Sequence, residues 1–247
     1  MKKDLLSYKE HDAQIIETHD VEYLKGIIQR FKNNNTFEVA GFKKAFSIPH
    51  EAKTHIDIGS GGGWLIIETS KIFDEVIGIE PSETAVRNVE KLIEEMGLKN
   101  IKLINKDMID GMNELKPTKP VFFTTSIVLS HIKDYYVKEF LKIVNDAPIG
   151  SALYFVENYD KNIQQRLWHI RRKYWWAKNL PEWQLEFFEI KDGNYFSGIY
   201  GKKVCKNNVN NKYSPTTKDN IFWIIDGIKQ KILGAKRVII RLVRKLI

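Results

Sequence analysis

A glycine-rich stretch at residues 55–64, HIDIGSGGGW, contains the residue types that could hold a nucleotide. Asp57 comes first, and Gly59, Gly61 and Gly63 follow it at every second position. Glycine is required where a backbone approaches a ligand closely or adopts a positive φ. In open α/β sheets such a loop follows the first strand, at the edge where ligands bind. The stretch therefore predicts a nucleotide-type ligand, and the spacing of its glycines bears on which kind.

Two common nucleotide-binding loops do not fit this spacing. The dinucleotide pattern Gly-x-Gly-x-x-Gly, counted from Gly59, needs a third glycine where the chain has Trp64. Counted from Gly61, it needs one where the chain has Ile66. The phosphate loop Gly-x-x-x-x-Gly-Lys-Ser/Thr does not occur either. The spacing therefore argues against a dinucleotide and against a nucleoside triphosphate held by such a loop.

The order acid, then three alternating glycines, resembles the first motif of class I S-adenosylmethionine-dependent methyltransferases. The resemblance extends over residues 50–160 and implies S-adenosylmethionine as the cofactor. It places Asp57 near the amino group of the cofactor, Glu80 at the ribose hydroxyls, and Asp107 with Met108 at the adenine. The cofactor-binding residues that it implies are Asp57, Gly59, Ser60, Gly61, Gly63, Glu80, Pro81, Asp107, Met108 and Thr125.

Transfer of a methyl group to a hydroxyl also needs a base that takes the hydroxyl proton. Imidazole suits this role at neutral pH. We predict His131, just beyond the fourth strand, as a candidate base, with His169 and His11 as further candidates. For His131 the alternative is a residue at a helix start that bonds backbone. His55, next to the first strand, is expected to be structural.

An aromatic and basic helical insert at 161–183 is the most distinctive candidate for binding the acceptor. Aromatic faces stack on sugars or bases, and arginines bind phosphates or carboxylates. The alternative is that the tryptophans form one buried helix face with the charges opposite. The predicted substrate-binding residues are Trp168, Arg171, Arg172, Trp175 and Trp176.

The segments WHIR, WW, LP and GIYG, in this order, resemble methyltransferases of bacterial surface-polysaccharide clusters. This resemblance implies O-methylation of a sugar hydroxyl, in a free sugar, a nucleotide sugar or a glycan. An RNA methyltransferase and a catalytically silent module that binds the cofactor are the alternatives. The fourth strand ends in hydroxyl residues and lacks an Asn/Asp-Pro-Pro-Tyr motif, which argues against methylation of exocyclic base nitrogens. We expect no DNA partner and no metal, since no acidic or histidine cluster has metal-ligand spacing.

Short apolar strands alternate with helical patterns from His55 to Asn158, which predicts βαβ units and a parallel sheet. We predict an α/β, Rossmann-like, doubly wound and mostly parallel sheet with an antiparallel C-terminal strand pair, a helical N-terminal cap and a C-terminal amphipathic helix. The expected divisions are the cap at 1–50, a methyltransferase domain at 51–204 that includes the insert, and a basic amphipathic tail at 205–247.

The net charge of +8 is concentrated in the tail, where residues 218–247 hold eight Lys or Arg and two Asp. Apolar residues at spacings of three and four predict one long amphipathic helix there. Such a helix fits an anionic membrane surface, docking on the protein or a dimer partner, or nucleic acid. The single cysteine, Cys205, fits a reducing compartment, and no signal-peptide pattern occurs. We expect a cytoplasmic protein, with contact at the inner face of the membrane as an alternative.

Overall fold

The computed structural model describes residues 21–33, 37–158, 171, 173–189 and 196–205. The strands are β1 (Thr54–Ile58), β2 (Glu75–Ile79), β3 (Ile101–Ile104), β4 (Val121–Ser126), β5 (Ala152–Asn158), β6 (Trp183–Glu189) and β7 (Phe196–Lys203). The helices are α1 (Val21–Asn33), α2 (Phe37–Ser47), α3 (Trp64–Thr69), α4 (Glu83–Glu95), α5 (Met108–Leu115), α6 (Asp134–Asn145) and α7 (Lys173–Asn179). No helix in these ranges is long and apolar enough to cross a membrane.

The seven strands form one sheet in the order β3-β2-β1-β4-β5-β7-β6. The neighbours from β3 to β5 pair in parallel, whereas β7 runs antiparallel to both β5 and β6. The order reverses between β1 and β4, so the carboxyl ends of these two strands form the switch point where ligands bind in such sheets. The predicted α/β, mostly parallel sheet with an antiparallel C-terminal pair is confirmed.

Local sequence signals explain several element boundaries. Ser82 caps α4 by accepting a hydrogen bond from the Ala85 backbone N–H at 3.3 Å, as a serine at this position predicts. Gly97, with φ of 65°, follows the end of the same helix. Pro81 was expected in the first turn of α4, but it precedes the cap residue and lies outside the helix. Pro81 is therefore the last loop residue before the cap of α4.

The structure adds one helix to the sequence prediction and ends another before Trp183. Helix α5 lies between β3 and β4, where no helix was predicted. Among the described residues of the insert predicted as helical at 161–183, α7 is helical, and Trp183 already belongs to β6. His11, Trp168, His169, Arg172 and the tail at 218–247 lie outside the described residues. Their roles stay predictions.

The two faces of the sheet bury separate apolar cores because neighbouring residues of a strand point to opposite sides. In β1, Ile56 and Ile58 belong to the core that also contains Met112 of α5, Phe140 of α6 and Trp176 of α7. The opposite core contains Leu24 of α1, Phe42 of α2, Leu65 of α3, and Phe122 and Tyr154 of the sheet. His55 and Asp57 alternate with the two isoleucines and therefore point to this second side.

Replacing Trp176 with Ala is expected to lower the free energy of unfolding by about 3–5 kcal/mol, because truncation of a buried Trp leaves a cavity. The indole is 1% exposed and lies 5.9 Å from the Phe155 ring and 5.1 Å from the Trp175 ring. Chemical denaturation measures the change. Tyr135→Ala is the control, since Tyr135 is 43% exposed and its truncation should cost far less. Equal losses in the two variants would contradict the assignment of Trp176 to the core.

Candidate functional site

The glycine loop between β1 and α3 has a backbone that side chains would disturb. Gly59 has φ of 74° and Gly61 has φ of 48°, a region that L-residues rarely adopt. A Cβ built on Gly59 would lie 2.4 Å from a methyl group of Val128, so glycine is required there for space as well. A Cβ on Gly61 would meet nothing nearer than the Gly59 carbonyl oxygen at 3.9 Å. The Gly61 side of the loop is therefore open to a ligand.

Glu80 connects the end of β2 to this loop. Its side chain is buried, its Oε2 accepts the Gly61 N–H at 3.0 Å, and its Oε1 accepts the Ser82 N–H at 2.9 Å. A carboxylate has about four acceptor positions, so these bonds orient it while it can still accept from hydroxyl donors. Glu80 therefore has the position and chemistry that the ribose-binding prediction requires.

Asp57, at the end of β1, is 3% exposed and belongs to a buried hydrogen-bonded chain. The Thr124 hydroxyl donates to Asp57 Oδ1 at 2.7 Å. Thr124 Oγ1 also lies 2.7 Å from His55 Nε2, and His55 Nδ1 lies 2.8 Å from the Thr69 hydroxyl. His55, expected to be structural, is indeed fully buried inside β1. These hydrogen bonds link β4, β1 and α3 directly behind the glycine loop.

Burial lowers the pKa of His55 to about 3. Between its usual value near 6.5 and about 3, the unfolded chain binds a proton that the folded chain does not. The free energy of unfolding should therefore fall as the pH falls through this window, by about 3 kcal/mol from this residue between pH 7 and pH 4. Denaturation of the native chain and of His55→Gln at both pH values measures the effect. We expect the variant to lose less stability on acidification, and an equal loss would refute the prediction.

The remaining cofactor-binding predictions fall at the same edge of the sheet, with varied local roles. Asp107 caps α5, its Oδ1 accepting the backbone N–H groups of Ile109 and Asp110 at 3.0 Å each. Met108 is buried in the core beneath that helix. The hydroxyl oxygens of Ser60 and Thr125 are buried and have no hydrogen-bond partner among the described residues. A bound ligand is one source of partners for such orphaned hydroxyls.

The loop after β4 packs against the glycine loop. Ile127 has φ of 59°, a conformation that costs a non-glycine residue about 1–2 kcal/mol. Its N–H donates to the Val156 carbonyl at 2.8 Å, and the chain then places Val128 against Gly59. His131 ends the single 3₁₀ turn that follows, Leu129–His131. Such backbone strain concentrates at functional sites.

Arg171 was predicted to bind substrate, but its donors are engaged within the protein. The side chain donates to Asp134 Oδ1 at 2.9 Å, to the Leu129 carbonyl at 2.6 Å and to the Ile132 carbonyl. Its guanidinium also lies 5.1 Å from the centre of the Trp175 ring. Arg171 therefore braces the turn that ends in His131, and its contact with a substrate stays a prediction.

Trp175 and Trp176 were also predicted to bind substrate, and both are buried in the core. Trp176 packs against Phe155 of the sheet and cannot present a face to an acceptor. The ring of Trp175 packs against the Arg171 guanidinium. The alternative of a buried aromatic helix face describes these two residues correctly.

The residues at this edge fit S-adenosylmethionine. The open side of Gly61 admits a ligand against the backbone, and the nearby orphaned hydroxyl of Ser60 offers a polar contact. Asp57 and Glu80 add two buried carboxylates at the ends of adjacent strands, which suits a ligand with a cationic amino group and ribose hydroxyls. In the ranges that the structure describes, no three histidine, cysteine or acidic side chains gather as metal ligands.

Residues 51–121, which contain the glycine loop and the ends of β1, β2 and β3, match the family described as "Putative methyltransferase". This part of the chain is therefore similar to a methyltransferase family. No curated protein matches the sequence of this chain.

Solved structures with the same fold include methyltransferases. A SAM-dependent methyltransferase from Aquifex aeolicus is 19% identical with a TM-score of 0.52, over 76% of this chain and all of that one. A complex of DhpI with SAH is 16% identical with a TM-score of 0.52, over 76% and 96%. An rRNA methylase from Streptococcus thermophilus is 12% identical with a TM-score of 0.52, over 69% and 98%. At these identities the likeness shows the fold.

Sequence reasoning missed the partners of Asp57. Thr124 and His55 contact the carboxylate directly or at one remove, whereas the prediction selected Thr125, which the strand alternation turns to the opposite face. One signal was present in the sequence. His55 and Asp57 are polar residues two apart in an apolar strand, and this spacing places them on one face.

Proposed function

We propose that this chain is an S-adenosylmethionine-dependent methyltransferase that transfers the methyl group to a hydroxyl of a carbohydrate, with His131 as the base. One observation carries the proposal. The loop after β4 packs Val128 on Gly59, and the half-buried His131 follows three residues later at the end of the 3₁₀ turn. An alcohol needs a base as its bond to carbon forms, and imidazole is the side chain suited to this at neutral pH.

When bound, S-adenosylmethionine supplies a methyl group on a cationic sulfur that is already activated for displacement. The protein therefore mainly orients the partners. Asp57 holds the amino group and Glu80 the ribose hydroxyls, while the glycine loop lets the backbone approach. His131 would take the proton from the acceptor hydroxyl, whose oxygen would bond to the methyl carbon as the carbon–sulfur bond breaks and S-adenosylhomocysteine leaves. Arg171 keeps the turn that carries His131 in place.

Two further features of the described residues support a carbohydrate. Tyr135 and Tyr136 begin α6 with their ring centres 4.2 Å apart, and Tyr135 is 43% exposed. The exposed ring of Tyr135, four residues past His131, offers a stacking face for a sugar. The end of β4 carries Thr124, Thr125 and Ser126 in place of the Asn/Asp-Pro-Pro-Tyr motif that accompanies methylation of base nitrogens.

Methyl-labelled S-adenosylmethionine, incubated with the full chain and separate pools of nucleotide sugars, oligosaccharides and total RNA, tests the proposal. We expect label in a carbohydrate pool. Loss of His131 as a base should reduce transfer by about 10²–10⁴-fold in His131→Gln, with cofactor affinity retained. His50→Gln is the control, because His50 packs against Phe73 and Phe122 away from the loop.

Three results would contradict the proposal in different ways. Label in RNA alone would make the chain an RNA methyltransferase. Cofactor binding without transfer to any pool would favour a catalytically silent module. Full activity of His131→Gln would remove His131 as the base and leave the acceptor class standing.

A further inference from the structure

The buried side chains of Thr124, His55 and Thr69, which are hydrogen-bonded in a row next to Asp57, can share their protons in only one order. The Asp57 carboxylate can only accept, so the single hydroxyl proton of Thr124 is used on Asp57 Oδ1 at 2.7 Å. The Thr124 oxygen must then accept from its other neighbour, His55 Nε2, at 2.7 Å. Nε2 therefore carries a proton.

Nδ1, the other ring nitrogen of His55, fits the same direction of proton donation. The imidazole is fully buried and neutral, since burial holds its pKa far below the usual value. A neutral ring that is protonated on Nε2 has a bare Nδ1, so the Thr69 hydroxyl, 2.8 Å away, must donate its single proton to it. The same hydroxyl also lies 2.9 Å from the Leu65 carbonyl oxygen, and in this order its proton is used on Nδ1 and not on that carbonyl. The protons thus point from Thr69 to His55, to Thr124 and finally to Asp57.

Aromatic rings seal this chain from water. The Phe46 ring meets His55 edge-on with the centres 5.6 Å apart, and the Phe73 ring stacks on it at 5.3 Å. The side chains of Thr69 and Thr124 are buried as well. In such a dry environment each hydrogen bond is strong, and a group that loses its partner finds no water to replace it.

From this geometry we infer that His55 and Thr124 are positioning residues that hold the Asp57 carboxylate ready for the amino group of S-adenosylmethionine. The inference rests on the proposed cofactor-binding role of Asp57. It goes further in assigning a task to two residues that the cofactor does not touch. The Asp57 carboxylate is then oriented before the ligand binds. Thr124 holds it there, because its hydroxyl donates to Asp57 while accepting from His55.

Cofactor binding to Thr124→Val, which keeps the shape but removes the donor, tests the inference by calorimetry. We expect S-adenosylmethionine to bind the variant at least tenfold more weakly than the native chain. 5′-Methylthioadenosine has the adenine, ribose and thioether but no amino group, so its affinity should stay within about twofold. Thr124→Ser restores the donor and should bind S-adenosylmethionine within about threefold of the native chain.

A control variant and a spectroscopic measurement complete the test. Thr54→Val removes a hydroxyl from the other end of β1 and should leave both affinities unchanged. Nitrogen NMR of the native chain should show His55 as the neutral tautomer protonated on Nε2 at pH 7, without any cofactor. This measurement still decides the proton order if Thr124→Val does not fold.

Several outcomes would overturn the inference. Unchanged binding of S-adenosylmethionine by Thr124→Val would do so, and so would an equal loss of both ligands, which indicates general damage to the loop. A proton on Nδ1 instead of Nε2 would refute the proton order. If Asp57→Ala binds S-adenosylmethionine as the native chain does, the cofactor role of Asp57 fails and the inference falls with it.

Discussion

Replacing Glu80 with Gln is expected to weaken the binding of S-adenosylmethionine by about 10- to 100-fold. The carboxylate accepts the N–H groups of Gly61 and Ser82, one on each oxygen. An amide has one oxygen and one NH₂ group, so one backbone N–H would face another donor. Hydrogen bonds to a charged group are worth about 1.5–3 kcal/mol, and about 1.4 kcal/mol corresponds to a tenfold change in affinity. Loss of the charge also weakens acceptance from the ribose hydroxyls.

Calorimetry with the purified chain measures this change, and thermal denaturation shows whether the variant is folded. Glu83→Gln is the matched control, because Glu83 is an exposed carboxylate three residues further along, in the first turn of α4. We expect its affinity to stay at the native value. Native affinity in Glu80→Gln would contradict the placement of the ribose at this carboxylate.

Those parts of the fold that follow from local patterns could be predicted from the sequence. Apolar runs of four to seven residues, separated by helices with glycine or serine at their ends, indicated the parallel sheet and its antiparallel C-terminal pair. The acids at 57 and 80 were recognisable because each directly follows or ends such a run. The alternating glycines marked the loop because their conformations depend on glycine itself.

The side-chain contacts could not be predicted in the same way, because they join residues far apart in the sequence. Arg171 meets Leu129, Ile132 and Asp134 only after α7 has packed beside α6. A periodic pattern of tryptophans fits both a buried helix face and a ligand-binding face. Only the packing of α7 on the sheet shows that Trp175 and Trp176 form a buried face. Long-range packing, which the sequence pattern does not encode locally, accounts for these corrections.

Replacing Arg171 with Lys should reduce methyl transfer by more than tenfold while the affinity for S-adenosylmethionine stays within about twofold. The guanidinium bridges Asp134 and the carbonyls of Leu129 and Ile132, which flank His131. A lysine ammonium is a single point donor and cannot reproduce this planar fork. Asp57 and Glu80 belong to β1 and the end of β2, away from this brace, so cofactor binding should be retained.

The same substitution should lower the free energy of unfolding by about 2–3 kcal/mol, because at least one buried carbonyl loses its partner. Denaturation, calorimetry and label transfer on the same preparation separate the three effects. Lys178→Ala, an exposed basic residue of α7, is the control and should change none of them. Loss of stability with normal transfer would show that Arg171 supports only the fold. A parallel loss of cofactor affinity would mean that the turn after β4 also shapes the cofactor site, through the contact of Val128 with Gly59.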